Sequence, residues 1–139
     1  MKKLRFLAIL LLFICSCKKE KNLSGIPLVT VDIYIYSNDP AFVDVSIPGG
    51  WEYITGGSRG ILLYRLTTDE FMAFDRHCTY EPSNTCARVF VDATNIMAVD
   101  TCCGSEFLIT DGSVIKNPAS FPLKQYRTDF DGSVLHIFN

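Results

Sequence analysis

Short apolar runs alternate with polar residues along most of the chain. Segments 28–36 and 41–47 each alternate apolar and polar residues with a period of two, which is typical of half-buried strands. Turn-forming clusters rich in Gly, Asn, Asp and Pro separate further short apolar runs, and no window of a dozen residues has helical spacing. The pattern predicts an all-β sandwich or small barrel, with additional strands in WEYI, GILLYRL, FMAFD, ARVFV, IMAV, EFLI and VLHIF.

The start of the chain resembles a bacterial lipoprotein signal. A basic segment precedes the apolar run 6–14, which is too short to cross a bilayer as a helix. The sequence ICSC follows and is similar to a lipobox, in which the last cysteine carries the lipid. We therefore expect residues 1–16 to form a signal peptide and Cys17 to be lipidated. An ordinary secretory signal with an unmodified Cys17 is the alternative.

The rest of the chain is long enough for one domain with its own core. Residues 17–27 are expected to form a flexible tether, and residues 28–139 the β domain. Loss of the signal takes the formal net charge from -2 to about -5, which argues against a nucleic-acid partner. The expected location is outside the cytoplasmic membrane, anchored by lipid to the outer membrane or the periplasmic face of the cell envelope.

Four cysteines remain after the signal and the lipidation site are set aside. An exported protein can form disulfides, and four cysteines allow three pairings. These residues are Cys78, Cys86, Cys102 and Cys103.

The cysteine-rich region resembles a Rieske domain. That family is an all-β fold in which two loops, Cys-x-His and Cys-x-x-His, hold a 2Fe-2S cluster. Segments 78–86 (CTYEPSNTC) and 100–107 (DTCCGSEF) correspond to the two loops, and the second ends in the family's Gly-Ser-x-Phe. Segment 110–126 is similar to the family's proline loop, which covers the cluster, with Pro118 and Pro122 at matching positions. The resemblance extends over residues 47–139 and implies a Rieske-like sandwich with a two-loop subdomain.

The positions of the four family ligands are largely degenerate. They fall on Cys78, Tyr80, Asp100 and Cys103, and only Cys78 keeps the family's residue type. A neutral phenol is a poor ligand, and a carboxylate is a hard donor for a soft iron-sulfide centre. We therefore expect that the cluster has been lost and that the domain holds no cofactor or metal. A retained 2Fe-2S cluster is the alternative.

The two histidines and the remaining cysteines offer few other donor sets for a metal. His77 precedes Cys78 directly, and neighbours on an extended strand point to opposite sides. His136 lies far along the chain from both loops. An all-thiolate cluster or zinc site would have to use the adjacent Cys102 and Cys103, which is an awkward spacing.

The resemblance also implies a disulfide pairing. Many Rieske domains carry an extra cysteine in each loop, and these two cysteines form a bridge. The corresponding positions here are Cys86 and Cys102. The remaining pair, Cys78 and Cys103, would then close a second disulfide inside the cluster cavity. The alternative pairs Cys78 with Cys102 and Cys86 with Cys103.

Three functional hypotheses follow. The first is a non-enzymatic structural or binding lipoprotein with an envelope protein as partner. The second is a 2Fe-2S electron-transfer protein, and the third is thiol–disulfide exchange at Cys102 and Cys103. Hydrolytic chemistry is not expected, because no nucleophile has an evident base. The surface that the first hypothesis would use, unless its residues only cap the cavity, comprises Tyr80, Pro82, Phe121 and Pro122.

Overall fold

The computed structural model describes residues 24–139, so the expected signal peptide and Cys17 lie outside the described residues. The prediction of an all-β fold is confirmed: a single 3-10 turn, Pro40–Phe42, is the helical element between residues 24 and 139. The strands of this part of the chain are β1 Asp32–Tyr36, β2 Trp51–Ile54, β3 Ile61–Arg65, β4 Phe71–Asp75, β5 Val89–Val91, β6 Met97–Asp100, β7 Glu106–Leu108, β8 Val114–Lys116, β9 Gln125–Phe130 and β10 Val134–Phe138.

The strands form two antiparallel sheets. The larger has the order β1-β10-β9-β4-β3-β2, and the smaller has the order β5-β6-β7-β8. One apolar cluster lies on the larger sheet and includes Ile35, Leu63 and Ile137. A second cluster joins side chains of both sheets, including Phe74 and Phe107. The smaller sheet therefore carries its own core, and the loops at its end are where the candidate site lies.

Several predicted strands coincide with observed ones. WEYI, FMAFD and VLHIF correspond residue for residue to β2, β4 and β10. In β1 the expected alternation also holds, since Ile35 is buried while Tyr34 and Tyr36 are exposed. β4 contributes side chains to both apolar clusters, so its continuous apolar run reflects burial of both faces, whereas the alternation in β1 reflects burial of one.

The predicted strand over residues 41–47 is wrong. The Asp39 side chain accepts the Ala41 N–H at 2.8 Å and begins the 3-10 turn, and Pro40 follows it at the first position of the turn. A proline at this position favours a helical turn, because its own N–H has no partner to lose. Val43 and Ile47 consequently face solvent, and Val45 alone of the three alternating residues is buried.

Two strands were not predicted. β8 lies within the segment that resembles the proline loop, and β9 begins at the end of that segment. β9 nevertheless pairs with both β10 and β4 inside the larger sheet. Its inward residues are Tyr126 and Phe130, and the Thr128 hydroxyl donates to the Phe71 carbonyl at 2.7 Å. The inward row of β9 includes the polar Thr128, which obscured the alternation of apolar and polar residues.

Ordered packing begins before the expected domain boundary at residue 28. The Ile26 side chain is completely buried, and a Cβ placed on Gly25 would lie 3.1 Å from Cγ of Pro82. Gly25 and Ile26 were assigned to the predicted tether, residues 17–27. They pack against the rest of the domain, and Gly25 lies beside Pro82 of the first cysteine loop. No helix among the described residues is long and apolar enough to span a membrane.

Candidate functional site

Two loops meet at the end of the smaller sheet. The first loop, residues 76–88, connects β4 to β5, and the second, residues 101–105, connects β6 to β7. A disulfide between Cys86 and Cys102 links them, with their Cα atoms 5.8 Å apart. This is the first of the two bridges expected from the sequence.

Arg59 stabilises the conformation of the first loop. Its guanidinium donates hydrogen bonds to four backbone carbonyls of this loop, in a fork that only arginine provides. No local pattern in segment 55–60 (TGGSRG) predicts this role of Arg59, because the acceptors lie 23 to 28 residues further along the chain. The acceptors are the carbonyls of Pro82, Asn84, Thr85 and Ala87.

Asp75, at the end of β4, anchors the start of the same loop. Its carboxylate is fully buried and accepts hydrogen bonds from four nitrogen or oxygen donors. The hydrogen bonds from these donors offset most of the hydration free energy that the carboxylate loses when it is buried. The donors are the N–H groups of Ser58, Arg59 and His77 and the hydroxyl of Tyr126.

The His77 imidazole is engaged on both ring nitrogens and faces away from the cysteines. Nε2 donates to the Pro82 carbonyl at 2.7 Å, so Nδ1 accepts from the Ser58 hydroxyl at 2.9 Å. The ring is buried, and this burial lowers the pKa of His77, with a smaller contribution from the nearby Arg59 charge. His136 lies on β10 and contacts the Asp32 carboxylate at 2.7 Å. Neither imidazole is therefore available to the two cysteine loops.

The expected second disulfide, between Cys78 and Cys103, is absent. Both cysteines are free thiols, and their Sγ atoms are 3.8 Å apart. The reason lies in the second loop, where the Cys103 Sγ contacts Asp100 Oδ2 at 3.3 Å and Ser105 Oγ at 3.1 Å. These contacts hold the two sulfurs at van der Waals distance, well beyond the bond length of about 2.0 Å.

Asp100 completes this group of side chains. It is the last residue of β6 and is fully buried. One oxygen accepts the Cys102 N–H at 2.8 Å, and the other contacts the Cys103 thiol. The donor atoms of Cys78, Asp100 and Cys103 all lie within 4.8 Å of one another. Burial raises the pKa of the Cys78 thiol, and its hydrogen bond to Asp100 raises it further.

Tyr80, at the fourth family position, is directed elsewhere. Its ring is half-buried against the second apolar cluster, near Cys103. Its hydroxyl hydrogen-bonds to Glu81, and the negative charge of that carboxylate raises the pKa of Tyr80. Tyr80 is therefore a neighbour of Cys103 whose phenol interacts mainly with the exposed Glu81 carboxylate.

The proline loop lies across both cysteine loops. Its Ala119 N–H donates to the Ser105 hydroxyl at 2.9 Å, and its Phe121 carbonyl accepts from the Thr79 hydroxyl at 2.6 Å. Ala119 and Leu123 are buried, while Pro118 is half-buried and follows a cis peptide bond. Pro122 is exposed. The proline loop is therefore joined to each cysteine loop by one hydrogen bond.

The residues present do not fit a Rieske 2Fe-2S cluster. Such a cluster takes two thiolates on one iron and two imidazoles on the other. The loops bring together two thiols and one carboxylate, and both imidazoles are engaged elsewhere. The family pattern also assigns Cys78 and Cys103 to different irons, at opposite ends of the cluster, whereas their sulfurs are in contact.

Comparison with known proteins shows the fold. The plasma-membrane Rieske protein PetC3 from the cyanobacterium Synechocystis PCC 6803 is similar over 76% of this chain and 99% of its own, with a TM-score of 0.56 and 23% identity. The structure of a complex of reduced oxygenase and oxidized ferredoxin in carbazole 1,9a-dioxygenase contains a chain that is similar over 77% of this chain and 93% of its own, with a TM-score of 0.50 and 15% identity. No protein-family model and no curated protein matches the sequence. The domain is Rieske-like, as the sequence predicted.

Proposed function

We propose that this Rieske-like domain works without a 2Fe-2S cluster, as a non-enzymatic binding domain that is anchored in the cell envelope by a lipid on Cys17. One observation carries the proposal. The loops that would hold the cluster contain no available imidazole, since the His77 ring is bonded to Ser58 and Pro82. What the loops retain is a rigid frame, built from one disulfide, the Arg59 fork and the proline loop.

The surface proposed for binding, here called the loop tip, lies on this frame. Phe121 is 40% exposed and Pro122 is exposed. Tyr80 and Pro82 are half-buried beside the same frame. Apolar and aromatic groups on a rigid support lose little conformational entropy on binding, which favours their use as anchors. The loop tip is thus suited to a protein partner with an apolar recess.

Export and lipid anchoring rest on the start of the chain. A basic segment, a short apolar run and ICSC precede the domain in the order of a lipoprotein signal. The similar Rieske protein PetC3 is described as a plasma-membrane protein, which is consistent with a membrane location for this chain. Mass spectrometry of the mature protein tests the anchor directly. An acylated Cys17 at the N-terminus is expected, and a free thiol at Cys17 would remove the anchor from the proposal.

The absence of a cluster is tested by the full chain purified in detergent, without chelator or reductant, from iron-replete cells. A colourless protein without acid-labile sulfide is expected. Two irons and two sulfides per chain, with visible absorption, would overturn the proposal. The same result would support the second candidate function, electron transfer, which the similarity to Rieske and ferredoxin chains favours.

The loop tip is tested by photo-crosslinking in intact cells. A crosslinking residue at position 121 should give one dominant adduct, and the Tyr80→Ala substitution should reduce its yield. The matched control is Tyr36→Ala, because Tyr36 is an exposed aromatic residue on β1, outside both loops. If the Tyr80 and Tyr36 variants give the same yield as the parent, the loop tip is not the binding surface.

A further inference from the structure

Asp100 differs from the other buried carboxylate of the site in what it contacts. Both Asp75 and Asp100 are completely buried. Asp75 accepts four hydrogen bonds from nitrogen and oxygen donors. Asp100 accepts one from a backbone N–H, and its remaining contacts are the thiols of Cys103 and Cys78. Thiols are weak donors, so Asp100 recovers much less of the free energy that burial costs a carboxylate.

No cation compensates Asp100 within the part of the chain that the structure describes. The ion pairs between residues 24 and 139 are Lys116 with Glu106 and His136 with Asp32, and neither involves this site. Buried charges in proteins are normally paired with an opposite charge or coordinate a metal. A carboxylate that is buried between two thiols has the surroundings of a metal ligand and lacks those of a structural ion pair.

The spacing of the donor atoms suits a single ion. Two sulfurs bound tetrahedrally at about 2.3 Å from one metal lie about 3.8 Å apart, and a sulfur and a carboxylate oxygen lie about 3.5 Å apart. The Sγ atoms of Cys78 and Cys103 are 3.8 Å apart, and the Cys103 Sγ is 3.3 Å from Asp100 Oδ2. Two edges of the donor triangle thus match those of a tetrahedral site, and the third, between the donor atoms of Cys78 and Asp100, is at most 4.8 Å.

We propose that Cys78, Asp100 and Cys103 bind one divalent metal ion of the zinc class. Two thiolates and one carboxylate are ligands that Zn²⁺ accepts, and the fourth position is left to water or an external ligand. Binding replaces the two thiol protons, which pass to solvent, and gives the Asp100 carboxylate a cationic partner. The other two cysteines are excluded as ligands, because Cys86 and Cys102 are joined to each other.

The surroundings are consistent with this assignment. Cys78 is buried in the second apolar cluster, whose side chains exclude water from one side of the donors. Cys103 is half-exposed, and a Cβ placed on its neighbour Gly104 would meet no atom within 4 Å. The site is thus buried on the side of Cys78 and partly accessible on the side of Cys103. Loss of the cluster is a premise of this proposal, but the lipid anchor and the loop tip are not.

The test uses Co²⁺, which reports thiolate ligands by a charge-transfer absorption. The full chain is purified anaerobically, stripped of metal and titrated with Co²⁺ and then with Zn²⁺. One equivalent of Co²⁺ should give the absorption band, and Zn²⁺ should displace it. Asp100→Asn and Cys103→Ser should each weaken Co²⁺ binding by at least about 10-fold, since even indirect partners of a metal have effects of that size. Asp111→Asn is the matched control, because Asp111 is an exposed turn residue that caps Ser113.

Each outcome is decisive. A saturating band that is lost in both variants and kept in the control supports the site. Absence of the band in the metal-stripped parent, at millimolar Co²⁺, overturns it without affecting the proposed binding function. Two irons with two sulfides in the parent would overturn both proposals. If Asp100→Asn fails to fold, Cys103→Ser decides alone, since Cys103 is half-exposed and its replacement retains a hydrogen-bonding group.

Discussion

The Tyr126 hydroxyl donates a hydrogen bond of 2.7 Å to Oδ2 of Asp75, across the junction of β9 and β4. Burial and this carboxylate both raise the pKa of Tyr126, so the phenol remains a donor throughout the accessible pH range. Tyr126→Phe removes one of the four donors to Asp75. We expect a loss of about 1–3 kcal/mol in the free energy of unfolding, measured by denaturant titration. Tyr36→Phe, at an exposed position, should cost less than about 0.5 kcal/mol. Equal losses in the two variants would contradict this account.

His77 makes the domain less stable in mild acid. Its pKa in the folded protein is below the usual 6.5, mainly because the ring is buried. The unfolded chain therefore takes up this proton at higher pH than the folded one, and stability falls as the pH decreases below about 6.5. The melting temperature should drop between pH 7.5 and pH 5.5, and His77→Gln should reduce this drop. In the control variant His136→Gln, the drop in melting temperature should be the same as in the parent. If the drop is also unchanged in His77→Gln, titratable groups other than His77 cause it.

Removing the disulfide should destabilise the domain and leave its fold intact. Cys86 and Cys102 are separated by 16 residues, and closing a loop of this size is worth about 3 kcal/mol against the unfolded chain. The Cys86→Ala/Cys102→Ala variant should therefore lose about 2–4 kcal/mol in the free energy of unfolding. Chemical reduction of the parent should produce the same change. A reduced parent as stable as the oxidised one would show that the bridge is energetically neutral.

The Arg59 fork should control the order of the first loop. Arg59→Ala leaves four carbonyls without their donor, and we expect faster hydrogen exchange over residues 79–87 and a loss of about 2 kcal/mol in stability. Arg59→Lys should not restore protection, because an ammonium cannot span the four acceptors. Arg127→Ala, on the exposed face of β9, serves as the control. If hydrogen exchange over residues 79–87 is unchanged in Arg59→Ala, the disulfide orders the first loop and the Arg59 hydrogen bonds do not.

The two free thiols should differ in reactivity in the metal-free protein. Cys78 is fully buried and its pKa is raised, so little thiolate is present or accessible, whereas Cys103 is half-exposed. Iodoacetamide at pH 8 should label Cys103 first, and Cys78 only on unfolding. Peptide mass spectrometry of a time course measures both rates. Simultaneous labelling would mean that the second loop opens readily.

Local patterns predicted the parts of this domain that local interactions determine. β2, β4 and β10 were found because each is a short apolar run that follows turn-forming residues. β9 was missed because its place in the sheet depends on pairing with distant β4, and the 41–47 error arose because Asp39 and Pro40 outweighed alternation in the following residues.

In the candidate site, too, the positions of the residues could be predicted and their side-chain contacts could not. The family pattern placed Cys78, Asp100 and Cys103 at ligand positions, and the structure brings all three together. The resemblance did not predict that Asp100 and Ser105 would hold Cys103 apart from Cys78, because this depends on side-chain contacts within a few tenths of an ångström. The role of Arg59 could not be predicted from the sequence either, because its acceptors are backbone carbonyls 23 to 28 residues away along the chain.

The position of Gly25 beside Pro82 limits how far the first cysteine loop can stand from the lipid that we propose on Cys17. With an acyl chain on Cys17, only eight residue spacings separate the headgroups from Gly25, a reach of at most about 28 Å when fully extended. The proposed anchor would thus keep the first cysteine loop, which contains Pro82, within that distance of the lipid headgroups, and we expect its binding partners among proteins that lie at the same membrane surface.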